Sequence, residues 1–320
     1  MKERDEIIVY KNNIVVSARG LVKVFDGLRA VDGIDLTISK GEIYGFLGPN
    51  GAGKTTTVRM LIGLLSPTGG SIEILGYDVL KRVMDIKEHI GYMPQRFSLY
   101  SDLTVLENLR FYGGLYDLDD RTLNERIDKL LDMVGLSDFS NHISGNLSGG
   151  MKQKLSLICA LIHNPEFLVM DEPTAGLDPL TRRILWDYFY NIASSGSAVM
   201  VTTHYLDEAE HCNRIGIIHR GKIVAEGTPS KIKETYFGRN VMCIETDNWQ
   251  TSFNALKGEY PDEDLMLFGM DIHLVVDDLK KEEVNVKKLV EKGGARVLRI
   301  YSMKPTLEEV FIQLQKELDK

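Results

Sequence analysis

Between Gly41 and Leu65 the chain reads GEIYGFLGPNGAGKTTTVRMLIGLL, and this stretch decides the fold. Ile43–Leu47 is apolar, β-branched or aromatic, and it closes on Gly48, which is the pattern of a buried strand. From Lys54 onward, Val58, Leu61, Ile62 and Leu65 recur at helical spacing. Pro67 and the pair Gly69-Gly70 are expected to end that helix. Between strand and helix, Gly48-Pro49-Asn50-Gly51-Ala52-Gly53-Lys54-Thr55 satisfies GxxxxGK followed by Ser or Thr. Glycines let the backbone wrap a phosphate with its N–H groups, and the helix that starts there adds its positive end. Lys54 can reach the β- and γ-phosphates of a nucleotide, and the Thr55 hydroxyl can ligate Mg²⁺. Thr56 follows in the same turn. The expected ligand is therefore a nucleoside triphosphate with its magnesium.

Further along, Phe167-Leu168-Val169-Met170-Asp171-Glu172 reads as a second buried strand that ends in two carboxylates. An acidic residue at a strand tip beside the glycine loop, here Asp171, can hold Mg²⁺. The adjacent Glu172 can take a proton from an attacking water. The helix LTRRILWDYFYNIA and the strand SAVMVTTH come next. His204 closes that strand at the carboxyl edge, where ligands bind in open α/β sheets. Strand–helix alternation of this kind implies an α/β fold with a doubly wound, mainly parallel sheet.

Around this core the pattern changes twice. Upstream, from Ile14 to Ile38, short β-rich runs alternate with turns. In the middle, about 96–161, TVLENLRFYGGLY, LNERIDKLLDMVGL and GGMKQKLSLICALI share helical periodicity, so a helical insert separates the strand-bearing parts. GIIHRGKIVAEGTP reads as a late hairpin around Arg220-Gly221. After Thr228-Pro229, residues 240–320 give strand, helix, long strand or hairpin, helix, strand and helix: a small α+β appendage with none of the earlier chemistry.

Four more elements stand in fixed order with these. Phe25 lies upstream of the glycine loop. Gln95 follows the strand-like GYMP. Leu147-Ser148-Gly149-Gly150-Met151 precedes a helix, and Ala175-Gly176-Leu177-Asp178 follows Glu172. The series resembles the ABC ATPase family over residues 14–230. Gly48–Thr55 is similar to its Walker A motif, Phe167–Glu172 to Walker B, Gln95 to the Q-loop, Leu147–Met151 to the signature, Ala175–Asp178 to the D-loop and His204 to the H-loop. The resemblance implies a P-loop ATPase core with a β-rich N-terminal subdomain and a helical insert. It implies that Phe25 stacks on adenine, where tyrosine is commoner, and that Gln95 contacts Mg²⁺ or the attacking water. Ser148, Gly149 and Gly150 would bind ATP held by a second subunit, and Asp178 would reach across the dimer. Met151 stands where glutamine is commonest; the three residues before it are intact. The resemblance also implies a homodimer or a dimer with a homologous ATPase, and separate polytopic membrane subunits. Phe97, Leu99, Tyr100 and Leu103 are candidate groove residues for a short helix of the membrane subunit.

Composition fits a peripheral role. The chain has 320 residues and a formal net charge of −8, which argues against a dedicated nucleic-acid binder. No run reaches the roughly 18 apolar residues of a membrane span. The start, MKERDEIIVYKNN, is not a secretory signal. Cys159, Cys212 and Cys243 form no CxxC pair and are expected as free thiols. A cytoplasmic protein on the inner face of the cell membrane is the expectation. Lys304-Pro305-Thr306-Leu307-Glu308-Glu309-Val310-Phe311 resembles the ending of ATPase subunits in the drug and antibiotic export branch. Export is therefore favoured over import. A role on DNA or ribosomes fits less well, because only about fifty residues separate Gln95 from the signature and the chain holds one cassette.

Overall fold

The computed structural model describes residues 13–236 and 238–319. The chain divides after Glu226, and each part is described by itself.

The first part opens with β1 (Ile14–Phe25) and β2 (Leu28–Ser39), joined at Asp26-Gly27. Both turn residues have positive φ, 45° and 87°, the geometry of a tight hairpin whose twist matches its strands. Sequence patterning suggests several short runs here, but the structure makes two strands of 12 residues. The interruptions are register shifts within one continuous ladder, as between Ala18 and Leu21, where Gly20 takes φ 55°. β3 (Ile43–Leu47) is buried throughout and leads into α1 (Lys54–Leu61). That helix ends well before Pro67. Gly63 turns left-handed at φ 72°, and Leu64 and Leu65 both donate to the carbonyl of Arg59. Gly69-Gly70 then begins β4 (Gly69–Ile74), which pairs with β1 and with β5 (Tyr77–Asp78). The glycines belong to a strand, not to a loop.

α2 (Val83–Lys87) and β6 (Ile90–Met93) precede the helical insert, which consists of α3 (Val105–Gly114), α4 (Asp120–Val134) and α5 (Gly149–Leu161). Thr104 and Glu107 form a reciprocal capping box at the start of α3. α4 buries Leu123, Ile127, Leu131 and Val134 on one face and stops at left-handed Gly135. These side chains meet Val105, Leu109, Leu155 and Ile158 in a core of their own. Each such burial stabilises by about 1.5–3 kcal/mol, so Leu131→Ala would loosen the insert without touching the main sheet.

β7 (Phe167–Asp171), α6 (Pro179–Ser194), β8 (Ala198–Thr203), α7 (Leu206–Ala209), β9 (Arg214–His219) and β10 (Lys222–Gly227) complete the main layer. Its sheet runs β10-β9-β3-β8-β7-β6, and β9, β3, β8, β7 and β6 are mutually parallel. Every residue of β3, β7 and β8 is buried, as expected for strands covered on both faces. β3, β7 and β8 thus deliver the glycine loop, the two carboxylates and His204 to one edge.

The second part comprises α8 (Pro229–Tyr236), β11 (Asn240–Thr246), α9 (Trp249–Lys257), β12 (Leu265–Phe268), β13 (Asp271–Val276), α10 (Leu279–Lys292), β14 (Val297–Met303) and α11 (Leu307–Asp319). Its antiparallel sheet has the order β12-β13-β11-β14 and packs Met242, Ile244, Leu274, Val286 and Val290 into a separate core. The motif Lys304–Phe311 starts α11. Glu309 accepts from the Thr306 amide and hydroxyl, and its other oxygen lies 3.2 Å from Nδ1 of buried His273. Among the described residues, no helix is long and apolar enough to cross a membrane. The three cysteines are buried and unbridged.

Candidate active site

The glycine loop is shaped by its neighbours. A Cβ at Gly48 would stand 2.4 Å from the carbonyl oxygen of Ile218, and one at Gly53 would stand 2.5 Å from that of Ala30. Gly53 also has φ 112°, which lets it cap α1 while the α1 amides stay open. The turn Arg220-Gly221 presses on the loop from outside: Gly221 donates to the carbonyl of Ala52. Asn50, Gly51, Gly53, Lys54, Thr55 and Thr56 line a cavity of about 400 Å³, with Gln95 and Glu172 on its far wall. Pro49 takes part through its carbonyl; Gly48 and Ala52 are buried behind the loop.

Lys54 fills this cradle from within. It is 5% exposed, and its Nζ donates to the carbonyls of Gly48 at 2.7 Å and Pro49 at 3.2 Å. A third neighbour is Oε1 of Glu172, 3.5 Å away. Buried ammonium and carboxylate are thus mutually compensated, which burial of either demands.

The two carboxylates part company in the backbone. Asp171 is the last residue of β7, 2% exposed, and its Oδ1 accepts from the Thr202 hydroxyl at 2.6 Å. Glu172 has left the strand. Its φ is 50°, a left-handed conformation that costs a non-glycine residue roughly 1–3 kcal/mol. Two bonds to Thr202 hold it there, from the Glu172 amide to the carbonyl and to the hydroxyl. An extended dipeptide would point the two side chains to opposite faces; the left-handed turn aims Glu172 into the cavity instead.

Gln95 and His204 converge on the same carboxylate. Gln95 Nε2 donates to Glu172 Oε2 at 2.8 Å. His204 Nδ1 lies 3.3 Å from that oxygen but is out of line for a hydrogen bond. Residues 95, 172 and 204 come from three separate strand ends, so this meeting is a product of the parallel sheet. Thr55 and Asp171 offer hydroxyl and carboxylate oxygen, the hard donors that Mg²⁺ takes. Among the described residues, no cluster of three or more His, Cys, Asp or Glu could hold a metal unaided. That suits an ion held by one or two protein groups together with phosphate oxygens.

The remaining candidates lie elsewhere. Ser148 caps α5 by accepting from the amide of Met151, and Ser148 and Gly149 are exposed. A Cβ on Gly150 would stand 3.0 Å from Thr181, so this helix start neighbours that of α6. Asp178 caps α6, and both its oxygens accept from Thr181. Those bonds hold its carboxyl below the usual range. None of these four residues lines the cavity. Phe25 sits at the hairpin tip, 43% exposed, with Lys23 Nζ 5.1 Å from its ring centre. Leu99 borders a second, largely apolar groove of about 400 Å³ with Leu64, Met84, Tyr92, Leu115 and Tyr116. Phe97, Tyr100 and Leu103 are not on its wall.

Two residues behind the site escape sequence reasoning. Glu208 is 1% exposed, and Arg182 lies 3.4 Å from it. A charged residue on a four-residue helix carries no local mark of burial.

The family described as ABC transporter matches residues 31–175. The "Probable multidrug ABC transporter ATP-binding protein YbhF" of Escherichia coli (strain K12) is 47% identical over 219 residues, 68% of this chain and 38% of that protein. This chain therefore spans well under half of that relative's length. The Nod factor export ATP-binding protein I of Rhizobium sp. (strain N33) is 35% identical over 316 residues, 97% of this chain and 100% of that protein. Among solved structures, a dimeric ATP-binding cassette in a post-hydrolysis state with ADP and Pi superposes with a TM-score of 0.62. It is 27% identical and covers 67% of this chain and 98% of that one. A strand–glycine loop–helix, a signature opening its own helix and a relative aligned over nearly the whole length lead to one assignment: the chain belongs to the ATP-binding proteins of the ABC transporter family.

Proposed function

We propose that this chain binds and hydrolyses ATP as the motor subunit of an exporter. The observation that carries the reading is the carboxylate lining the phosphate cradle, Glu172, which Lys54 and Gln95 contact and His204 faces. Glu172 acts as general base. Lys54 Nζ lies against Oε1 in the structure. Incoming phosphates carry several negative charges and draw the Lys54 ammonium toward the β- and γ-oxygens. Lys54 then leaves Glu172, and the base is released only when substrate is present. Gln95 orients water at Oε2, and His204 meets the γ-phosphate. Thr55 and Asp171 would hold Mg²⁺, with Gln95 beside them, and the ion would supply charge neutralisation for the phosphates. Phe25 stacks on adenine.

A second ATPase subunit, identical or homologous, supplies Ser148, Gly149, Gly150 and Asp178 to the nucleotide. The exposed signature supports this, because its capped helix start lies off the chain's own cavity. The apolar groove beside Leu99 receives a short helix of a polytopic membrane subunit, and closure of the dimer moves that helix. The chain then works at the cytoplasmic face of a membrane, with no nucleic-acid partner. Export rests on the named functions of the relatives.

The test is phosphate release by Glu172→Gln. Hydrolysis should fall about 10²- to 10⁴-fold while ATP still binds and traps a closed dimer. Hydrolysis at the native rate would remove Glu172 as base. Purification from detergent-solubilised membranes should bring down a polytopic protein; ribosomes or DNA in its place would overturn transport.

A further inference from the structure

Glu208 lies on α7, four residues after His204, and takes no part in the cavity. A carboxylate this deeply buried needs partners on both oxygens. Oε1 accepts from the Thr174 hydroxyl and faces Arg182 Nε at 3.4 Å. Oε2 accepts from the Thr203 hydroxyl at 2.7 Å. The partners come from three segments that each carry a site residue. Thr174 is 1% exposed in the loop leaving Glu172, and that loop is tight: Ala175 donates to the Glu172 carbonyl. Thr203 precedes His204, and its carbonyl accepts from the Gly48 amide at 3.3 Å. Arg182 lies on α6, the helix that Asp178 caps. Its guanidinium lies 4.7 Å over the ring of Tyr205, which packs 4.1 Å from the ring of His204.

We propose that Glu208 is a positioning residue that clamps the Glu172 loop to the strand end bearing His204. Base and histidine then keep one relative geometry as nucleotide enters and leaves. The strained backbone of Glu172 makes such a clamp useful, because a left-handed residue persists only when its surroundings fix it. The inference rests on the hydrolytic reading above.

The test is a kinetic cycle on the full-length chain: wild type, Glu208→Gln, Thr174→Val, Thr203→Val and the pairwise doubles. Each variant is scored for kcat per folded molecule, KM for ATP and melting temperature. Glu208→Gln should lower kcat about 10-fold or more with KM for ATP within about 2-fold, since a misplaced group costs rate more than binding. Thr174→Val should cost less in the Glu208→Gln background than in wild type, because the glutamine amide replaces one of the two accepting oxygens and weakens the shared clamp. If Glu208→Gln does not fold, the Thr174→Val and Thr203→Val pair carries the same test, with a combined loss smaller than the product of the two. Unchanged kcat with a lowered melting temperature would leave Glu208 purely structural and overturn the clamp. So would losses that multiply independently. Absence of hydrolysis in wild type, or native hydrolysis by Glu172→Gln, would remove the ATPase reading and the clamp with it.

Discussion

Glycines stand at the starts of both α1 and α5, yet the two starts differ in what their own chain asks of them. At α1, Gly48 and Gly53 are required from inside: carbonyls of Ile218 and Ala30 stand where a Cβ would go. Lys54 is buried in the cradle and already fills it. At α5, Gly149 is exposed, and a Cβ there would meet nothing within 4 Å. Among the described residues, nothing stands where a side chain at position 149 would go. In the function proposed above, the first is an anion site complete in one chain and the second is half of one, completed by another subunit. The sharpest way to break this contrast is to damage each end alone.

Lys54→Ala should have the largest effect. Loss of an ionic phosphate contact should weaken ATP binding about 10- to 100-fold, and hydrolysis should fall with it. Titration with a fluorescent ATP analogue checks the first and phosphate release the second. Unchanged affinity would take Lys54 out of the cradle. Gly149→Asp comes next. The open space around it should leave the fold and the first ATP-binding step intact. A carboxylate at the helix start repels phosphate, so hydrolysis should fall about 100-fold and the ATP-bound dimer should not form. If Gly149→Asp weakens ATP binding by the monomer as much as Lys54→Ala does, the two ends are not separate sites.

Phe25→Ala should act at the cradle end only. Stacking on one base is worth about 1–3 kcal/mol, so KM for ATP should rise about 10-fold while kcat changes little. Phe25→Tyr should restore it, because any flat ring stacks. Failure of the tyrosine to rescue would mean that Phe25 serves the hairpin tip and not the base.

The same contrast separates what the sequence made legible from what it did not. The cradle could be read residue by residue because a phosphate demands glycine, lysine and threonine at fixed spacing, and a buried strand must precede them. α4 was legible through its apolar stripe, and the parallel core through its unbroken apolar strands. The convergence of Gln95 and His204 on Glu172 was not, since it depends on which strands become neighbours. The left-handed turn at Glu172 was hidden as well, because a glutamate in that conformation looks like any other in sequence. The end of α1 was misplaced toward Pro67: Gly63, in the middle of an apolar run, is the residue that turns the chain. Glu208 had no signal, because its burial depends on Thr174 and Arg182 arriving from distant positions.

The far end of α5 offers the smallest and most specific test, because it ties the signature helix to the sheet that bears the cradle. His163 follows α5 directly, stacks on Tyr116 with ring centres 3.7 Å apart, and places Nε2 3.1 Å from the carbonyl oxygen of Ile90 on β6. A carbonyl only accepts, so Nε2 carries the proton, and Nδ1 is buried with no hydrogen-bond partner among the described residues. Burial pushes the pKa of His163 down to about 4 from 6.5. Above pH 6.5 the imidazole is neutral both folded and unfolded, and the tie is fully present. Between 6.5 and about 4 the unfolded chain takes up a proton that the folded chain refuses. Stability therefore falls with pH across that window, by about 3 kcal/mol at most, and by no more below it. His163→Phe keeps the ring on Tyr116 but cannot titrate. Melting temperatures recorded from pH 7 to 4 should fall less steeply for this variant than for wild type. Equal slopes would assign the acid sensitivity to another group and leave the attachment of α5 to β6 indifferent to pH.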